Sequence, residues 1–190
     1  MLRWTRILMA ALFATFFFAQ GEAKALDLEN TLYLDLKDGR VVIELRPDLA
    51  PNHVARIKEL TRQGFYNGVV FHRVIDGFMA QTGDVKFGNA SKGETSRAGM
   101  GGSSYPNLKQ EFNAEPHVRG VVSMARAQDP NSANSQFFIV FDDARFLDRQ
   151  YTVWGKVIEG MENVDQIKRG EPVRDPDHMV SVKVAADIAE

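Results

Sequence analysis

Cysteine is absent from the 190 residues, which excludes disulfides, thiolate nucleophiles and cysteine-ligated metals. Positive charge is not in excess either. The chain has 23 Lys and Arg against 25 Asp and Glu, and phosphate neutralisation needs clustered cations, so nucleic acid is excluded as a main ligand. Histidine is sparse: His53, His72, His117 and His178 lack the i, i+4 spacing of a zinc-binding helix. Neither a metal nor any other cofactor is expected. The apolar run at residues 7–18 is twelve residues long, short of the roughly 20 that a membrane span requires.

That run has a different reading. Arg3 and Arg6 make a basic start before it, and Ala23-Lys24-Ala25 supplies a small-x-small cleavage pattern after it. Residues 1–25 are expected to be a cleavable signal peptide, with an uncleaved anchor as the alternative. The remaining 165 residues, 26–190, make one domain of ordinary size. Residues 1–25 carry three cations and one carboxylate, so their removal takes the net charge from −2 to −4. The expectation is an exported, periplasmic protein with no stable membrane insertion after cleavage.

Leu32, Leu34 and Leu36 alternate with Tyr33 and Asp35, and the β-rich run 41–45 follows Asp38-Gly39, which predicts a hairpin with an Asp-Gly turn. Pro51 opens a helix whose face is Val54, Ile57 and Leu60, and Gly64 ends it. Short strands are expected at 69–75, 78–81, 120–125, 136–141 and 151–158. A second helix carries Met161, Val164 and Ile167 up to Gly170, and a closing strand spans 180–186. This is a mainly β pattern. An eight-stranded antiparallel closed barrel capped by two α-helices satisfies it, because closure removes sheet edges, and a sandwich is the alternative. Residues 86–108 read as a surface loop near a binding site.

Several chemistries are poorly served. Gly99-Met100-Gly101-Gly102-Ser103-Ser104 lacks the lysine and the strand-to-helix context of a phosphate loop. Ser123 and Ser135 sit in no nucleophile elbow, and Asp142, Asp143 and Asp148 lack calcium-loop spacing. What remains is Arg73 among apolar residues in Phe71-His72-Arg73-Val74-Ile75-Asp76-Gly77-Phe78-Met79-Ala80-Gln81-Thr82-Gly83-Asp84. A second run holds Ser123-Met124-Ala125-Arg126-Ala127 and Ser135-Gln136-Phe137-Phe138-Ile139. Together they suggest a groove for a neutral, apolar peptide.

These runs, in this order and with Trp154-Gly155-Lys156-Val157 after them, resemble the cyclophilin family of peptidyl-prolyl cis/trans isomerases. The resemblance covers nearly all of residues 26–190. It implies an isomerase of X-Pro bonds whose partners are proline-containing, unfolded or partly folded polypeptides. It further implies that Arg73 is catalytic and oriented by Gln81. Phe78, Met79, Phe138 and Leu147 would then enclose the proline ring, the backbone of Ala125, Arg126 and Ala127 would pair with the peptide beside Gln136, and Phe146 and Tyr151 would form the far wall. Arg126 stands where many members have asparagine, Phe146 where eukaryotic members have tryptophan, and Tyr151 where they have histidine. Loss of the indole donor implies weak cyclosporin binding. A monomer is expected, and a holdase that binds the same peptides without turnover is the competing reading.

Overall fold

The computed structural model describes residues 25–188 except 94; the expected signal segment lies outside them but for its last residue. Eight strands form one antiparallel sheet, in the order β3-β4-β6-β5-β7-β2-β1-β8. They are β1 (Thr31–Leu36), β2 (Gly39–Leu45), β3 (Arg73–Ile75), β4 (Met79–Thr82), β5 (Val121–Met124), β6 (Phe137–Val140), β7 (Val153–Glu159) and β8 (Ser181–Val184). The helices are α1 (Pro51–Arg62) and α2 (Met161–Asp165). The architecture is thus mainly β with two helices, as the periodicities require.

The β1–β2 hairpin turns on Lys37 and Asp38, because Gly39 already pairs with Leu36. At φ +143° Gly39 is in glycine territory, and a Cβ there would lie 2.8 Å from Asn163. In α1, Pro51 sits in the first turn and Ala50 caps nothing. Glu111 compensates from a distant loop, its two carboxylate oxygens accepting the backbone N–H of Asn52 and His53. Val54, Ile57 and Leu60 of α1 enter the same core as Leu32, Leu34 and Val41, and Val164 and Ile167 join it from the other helical segment.

Two elements are shorter than their patterns suggest. α2 stops at Asp165 because Asp177 takes the N–H of Lys168, while Ile167 donates only three residues back, to Val164. Ile167 stays buried all the same. β3 begins at Arg73 because Val70 and Phe71 donate outside the sheet, to the carbonyls of Gly88 and Asp177. Barrel closure also differs from a continuous ladder. β3 and β8 are joined through the irregular segment 168–179, with Val74 and Gly170 exchanging two hydrogen bonds and Met179 donating to Val69.

Neighbouring residues in β4 and β6 point to opposite faces, and each face is covered. Ala80, Phe137 and Ile139 fill the barrel interior, whereas Met79, Phe138 and Val140 belong to a second apolar cluster with Leu147 and Val153. This is why 137–140 reads as an unbroken hydrophobic run with no polar alternation. The second cluster lies on the outer face and floors the candidate site.

Candidate active site

Strand register assembles the site. Arg73 lies opposite Gln81, Gln81 opposite Phe138, and Phe138 opposite Ser123, so the four form one row across adjacent strands on a common face. Ile75, Met79 and Val140 make the neighbouring row. Simple alternation groups Arg73 with Phe71 and Ile75, and the structure separates them. Ile75 packs on the outer cluster, while Phe71 enters the barrel interior, because the chain leaves the ladder before Arg73.

A pocket of about 150 Å³ opens over this row, lined by Arg73, Phe78, Met79, Gln81, Ala125, Arg126, Phe138, Leu147 and Tyr151. That is the size class of an apolar cavity able to hold one benzene ring. Met79, Phe138 and Leu147 are buried beneath it. The Phe138 ring is held edge-on by Tyr151, with centroids 5.8 Å apart, and is stacked on His117 behind it at 6.3 Å. Phe146 is 66 % exposed, does not line the pocket and packs on Phe78, with ring centroids 5.4 Å apart. Ala127 and Gln136 line a larger cleft alongside.

The polar connections differ from expectation. Arg73 donates through Nε to Glu171, not to Gln81. Gln81 donates its amide to Gln136 Oε1 at 3.0 Å, because Gln136 Nε2 is already committed to the carbonyls of Gly99 and Gly101. Gln81 Oε1 therefore remains an acceptor beside the guanidinium in cross-strand register. The terminal nitrogens of Arg73 bind no other described residue and are available to a guest.

A family model for cyclophilin type peptidyl-prolyl cis-trans isomerase/CLD matches residues 16–186. A probable peptidyl-prolyl cis-trans isomerase of Brucella suis biovar 1 is 62 % identical over 171 residues, 87 % of either chain. The peptidyl-prolyl cis-trans isomerase-like 3 of Gallus gallus is 41 % identical over 139 residues, 73 % of this chain and 81 % of that one. Among solved structures, a cyclophilin from Hirschia baltica superposes with a TM-score of 0.76 at 34 % identity, over 86 % of this chain and 77 % of that chain. A Cryptosporidium parvum cyclophilin-type isomerase, crystallised in the presence of the dipeptide Ala-Pro, gives 0.70 at 25 % identity over 81 % and 98 %. The chain belongs to the cyclophilin family.

In this cyclophilin the pocket adjoins the larger cleft, ≈ 480 Å³, whose walls include Lys86, Gly99 to Ser103, Asn107, Ser132 and Asn134. The buried Asp84 carboxylate pins one wall by accepting the N–H groups of Lys86, Phe87, Gly99 and Gly101. Asn134 holds the next stretch through Ser103 and Tyr105. Gly101 must be glycine, since a Cβ would sit 2.7 Å from Asp84 Oδ1. The 86–108 segment is thus a largely irregular connection that walls the cleft, its course set by Asp84 and Asn134.

The fold also brings together a Ser–His–Asp arrangement that sequence spacing gives no reason to expect. His117 Nδ1 lies 2.9 Å from Asp148 Oδ1 and its Nε2 lies 3.0 Å from Ser123 Oγ. Ser123 donates to the carbonyl of Thr152, and both Ser123 and His117 are fully buried. A nucleophile without access to substrate does no chemistry. The network instead ties Asp148, next to the pocket residue Leu147, to the ring behind Phe138. Burial depresses the His117 pKa despite the opposing pull of Asp148.

Among the described residues no group of three or more His, Asp or Glu could hold a metal, and no helix is long and apolar enough to cross a membrane.

Proposed function

We propose that this cyclophilin accelerates rotation about X-Pro bonds in unfolded or partly folded exported polypeptides, with Arg73 donating a hydrogen bond to the prolyl nitrogen in the transition state. One observation carries the reading: a guanidinium with free terminal N–H groups stands at the edge of an apolar, ring-sized recess. The bond before proline is a resonance-stabilised amide with a rotation barrier of about 18–20 kcal/mol. At half rotation the resonance is lost, and the pyramidal prolyl nitrogen regains a lone pair able to accept a hydrogen bond. Guanidinium is protonated at every relevant pH and offers several donors in a rigid plane. Its bond to that lone pair exists mainly in the transition state, so it raises turnover rather than affinity.

Phe78, Met79, Phe138 and Leu147 would hold the ring and exclude water, and Gln81 Oε1 would steady Arg73 once substrate draws it inward. The backbone of Ala125, Arg126 and Ala127, beside Gln136, would pair with the peptide, and Tyr151 with Phe146 would form the far wall. The basic start and the apolar run at 7–18 support export to the periplasm with removal of residues 1–25. We further propose a monomer that binds cyclosporin weakly, because Phe146 has no indole N–H to donate.

The test is NMR exchange spectroscopy on an Ala-Pro peptide with the protein at one-hundredth of the peptide concentration. The isomerase speeds exchange at this ratio, and Arg73→Ala removes most of the effect. A holdase would leave the exchange rate unchanged and shift populations only in proportion to its amount. In the same assay Phe146→Trp should increase inhibition by cyclosporin.

A further inference from the structure

We propose that the cleft beside the proline pocket is an acid-selective subsite, so that preferred substrates carry Asp or Glu within three residues of the proline. The inference rests on the isomerase reading and names the substrate class it acts on. The cleft and the pocket share Gln81, Ala125 and Arg126, so one peptide can occupy both. An extended chain advances about 3.3 Å per residue, and three residues therefore span a distance of about 10 Å.

The charge in the cleft is one-sided. Its lining includes Lys86 and Arg126 and no carboxylate, although the mature chain has an excess of acidic residues. Elsewhere in the fold basic side chains pair with carboxylates, Arg40 with Asp35, Arg73 with Glu171 and Arg119 with Asp165. Arg126 has no carboxylate partner among the described residues. Its guanidinium is fixed by the carbonyls of Ala127, Gln128 and Gln150 and lies 4.5 Å from the centroid of the Tyr151 ring. Neutral acceptors orient a positive charge without cancelling it. Lys86 stands on the opposite strand connection with its Nζ 5.0 Å from the Phe87 ring, also without a described carboxylate partner.

Asp84 lies just behind Gly101, but it is fully buried and its oxygens are taken by four backbone N–H groups, so the charged side chains that a guest in the cleft can touch are Lys86 and Arg126. Those bonds make the wall rigid, so the cations face a preformed recess and a side chain entering it orders little else. Complementary charge of this kind changes both encounter and discrimination.

The test uses peptides with one Ala-Pro bond and a single Glu, Gln or Lys placed at each of the three positions on either side. At one or more positions Glu should raise kcat/KM about three- to fivefold over Gln, with Lys below Gln, as expected of partly exposed charge pairs. The preference should shrink at 0.5 M salt, fall in Lys86→Gln, and invert toward Lys peptides in Lys86→Glu. Equal rates for Glu, Gln and Lys at all six positions would overturn the subsite while leaving the isomerase intact. Failure of the Gln peptides themselves to turn over would instead overturn the isomerase reading.

Discussion

At the scale of single residues, the proposed function rests on Arg73. Removing a preorganised transition-state donor costs about 3 kcal/mol, so Arg73→Ala should lose about 100-fold in kcat/KM, and Arg73→Lys should recover little because an ammonium cannot reproduce the planar fork. Glu171 is the unexpected partner. It is exposed and holds Nε alone, which orients the guanidinium and leaves its outer nitrogens without a described partner, as the proposed role requires. Glu171→Gln is therefore expected to lower kcat about two- to fivefold with KM nearly unchanged, the size of effect that exposed ion pairs support. A rise in kcat would show Glu171 to be a competitor for Arg73 rather than its support. Arg73 stands out in the sequence because it is a lone cation in an apolar run. Glu171 does not, being 98 positions away in a stretch whose charges look like ordinary solvated surface.

At the scale of elements, the site depends on two polar devices behind it. Asp84 is one: replacing it with Ala leaves four backbone N–H groups without an acceptor, at a cost of about 3 kcal/mol or more. Asp84→Ala should lower the urea midpoint accordingly and weaken peptide binding in the cleft more than Asp84→Asn, which keeps one oxygen. The His117 network is the other. Ser123 has one hydroxyl hydrogen and two acceptors in reach, Thr152 O and His117 Nε2, so the neutral imidazole, with Nδ1–H on Asp148, competes with Thr152 for that hydrogen. His117→Phe keeps the stack on Phe138 but removes the imidazole link between Asp148 and Ser123, leaving Ser123 with Thr152 O and Asp148 with the backbone N–H of residue 117. It should destabilise the protein by about 1–3 kcal/mol and lower turnover of proline peptides with no change in the Glu-over-Gln preference. Strand and helix positions were legible from periodicity here, from Leu32–Leu34–Leu36 to Val54–Ile57–Leu60. Their ends were not, because α2 and β3 are cut short by Asp177, whose side chain and carbonyl reach them from a segment with no pattern of its own.

At the scale of the whole molecule, buried histidines set the acid response. Burial lowers the pKa of His53, His72 and His117, the Glu111 and Asp84 carboxylates opposing it at the first two and Asp148 at the third. Unfolded histidine titrates near 6.5. Between that value and the lower folded values the unfolded chain binds more protons, so stability falls as pH drops. The urea midpoint should therefore be lower at pH 5 than at pH 7.5, a window in which unfolded carboxylates are still largely ionised. An unchanged midpoint would mean that these rings are protonated in the fold.

The sequence by itself determined the hairpin and the helix starts, which follow from local periodicity and turn residues, and its spaced motifs, through the family they resemble, pointed to the residues that line the apolar pocket. Only the tertiary structure decided which face bears Arg73, which acceptors hold it and how the barrel closes. Those outcomes rest on register and on bonds between segments far apart in the chain. A side chain's partner across space leaves no trace in its neighbours along the sequence.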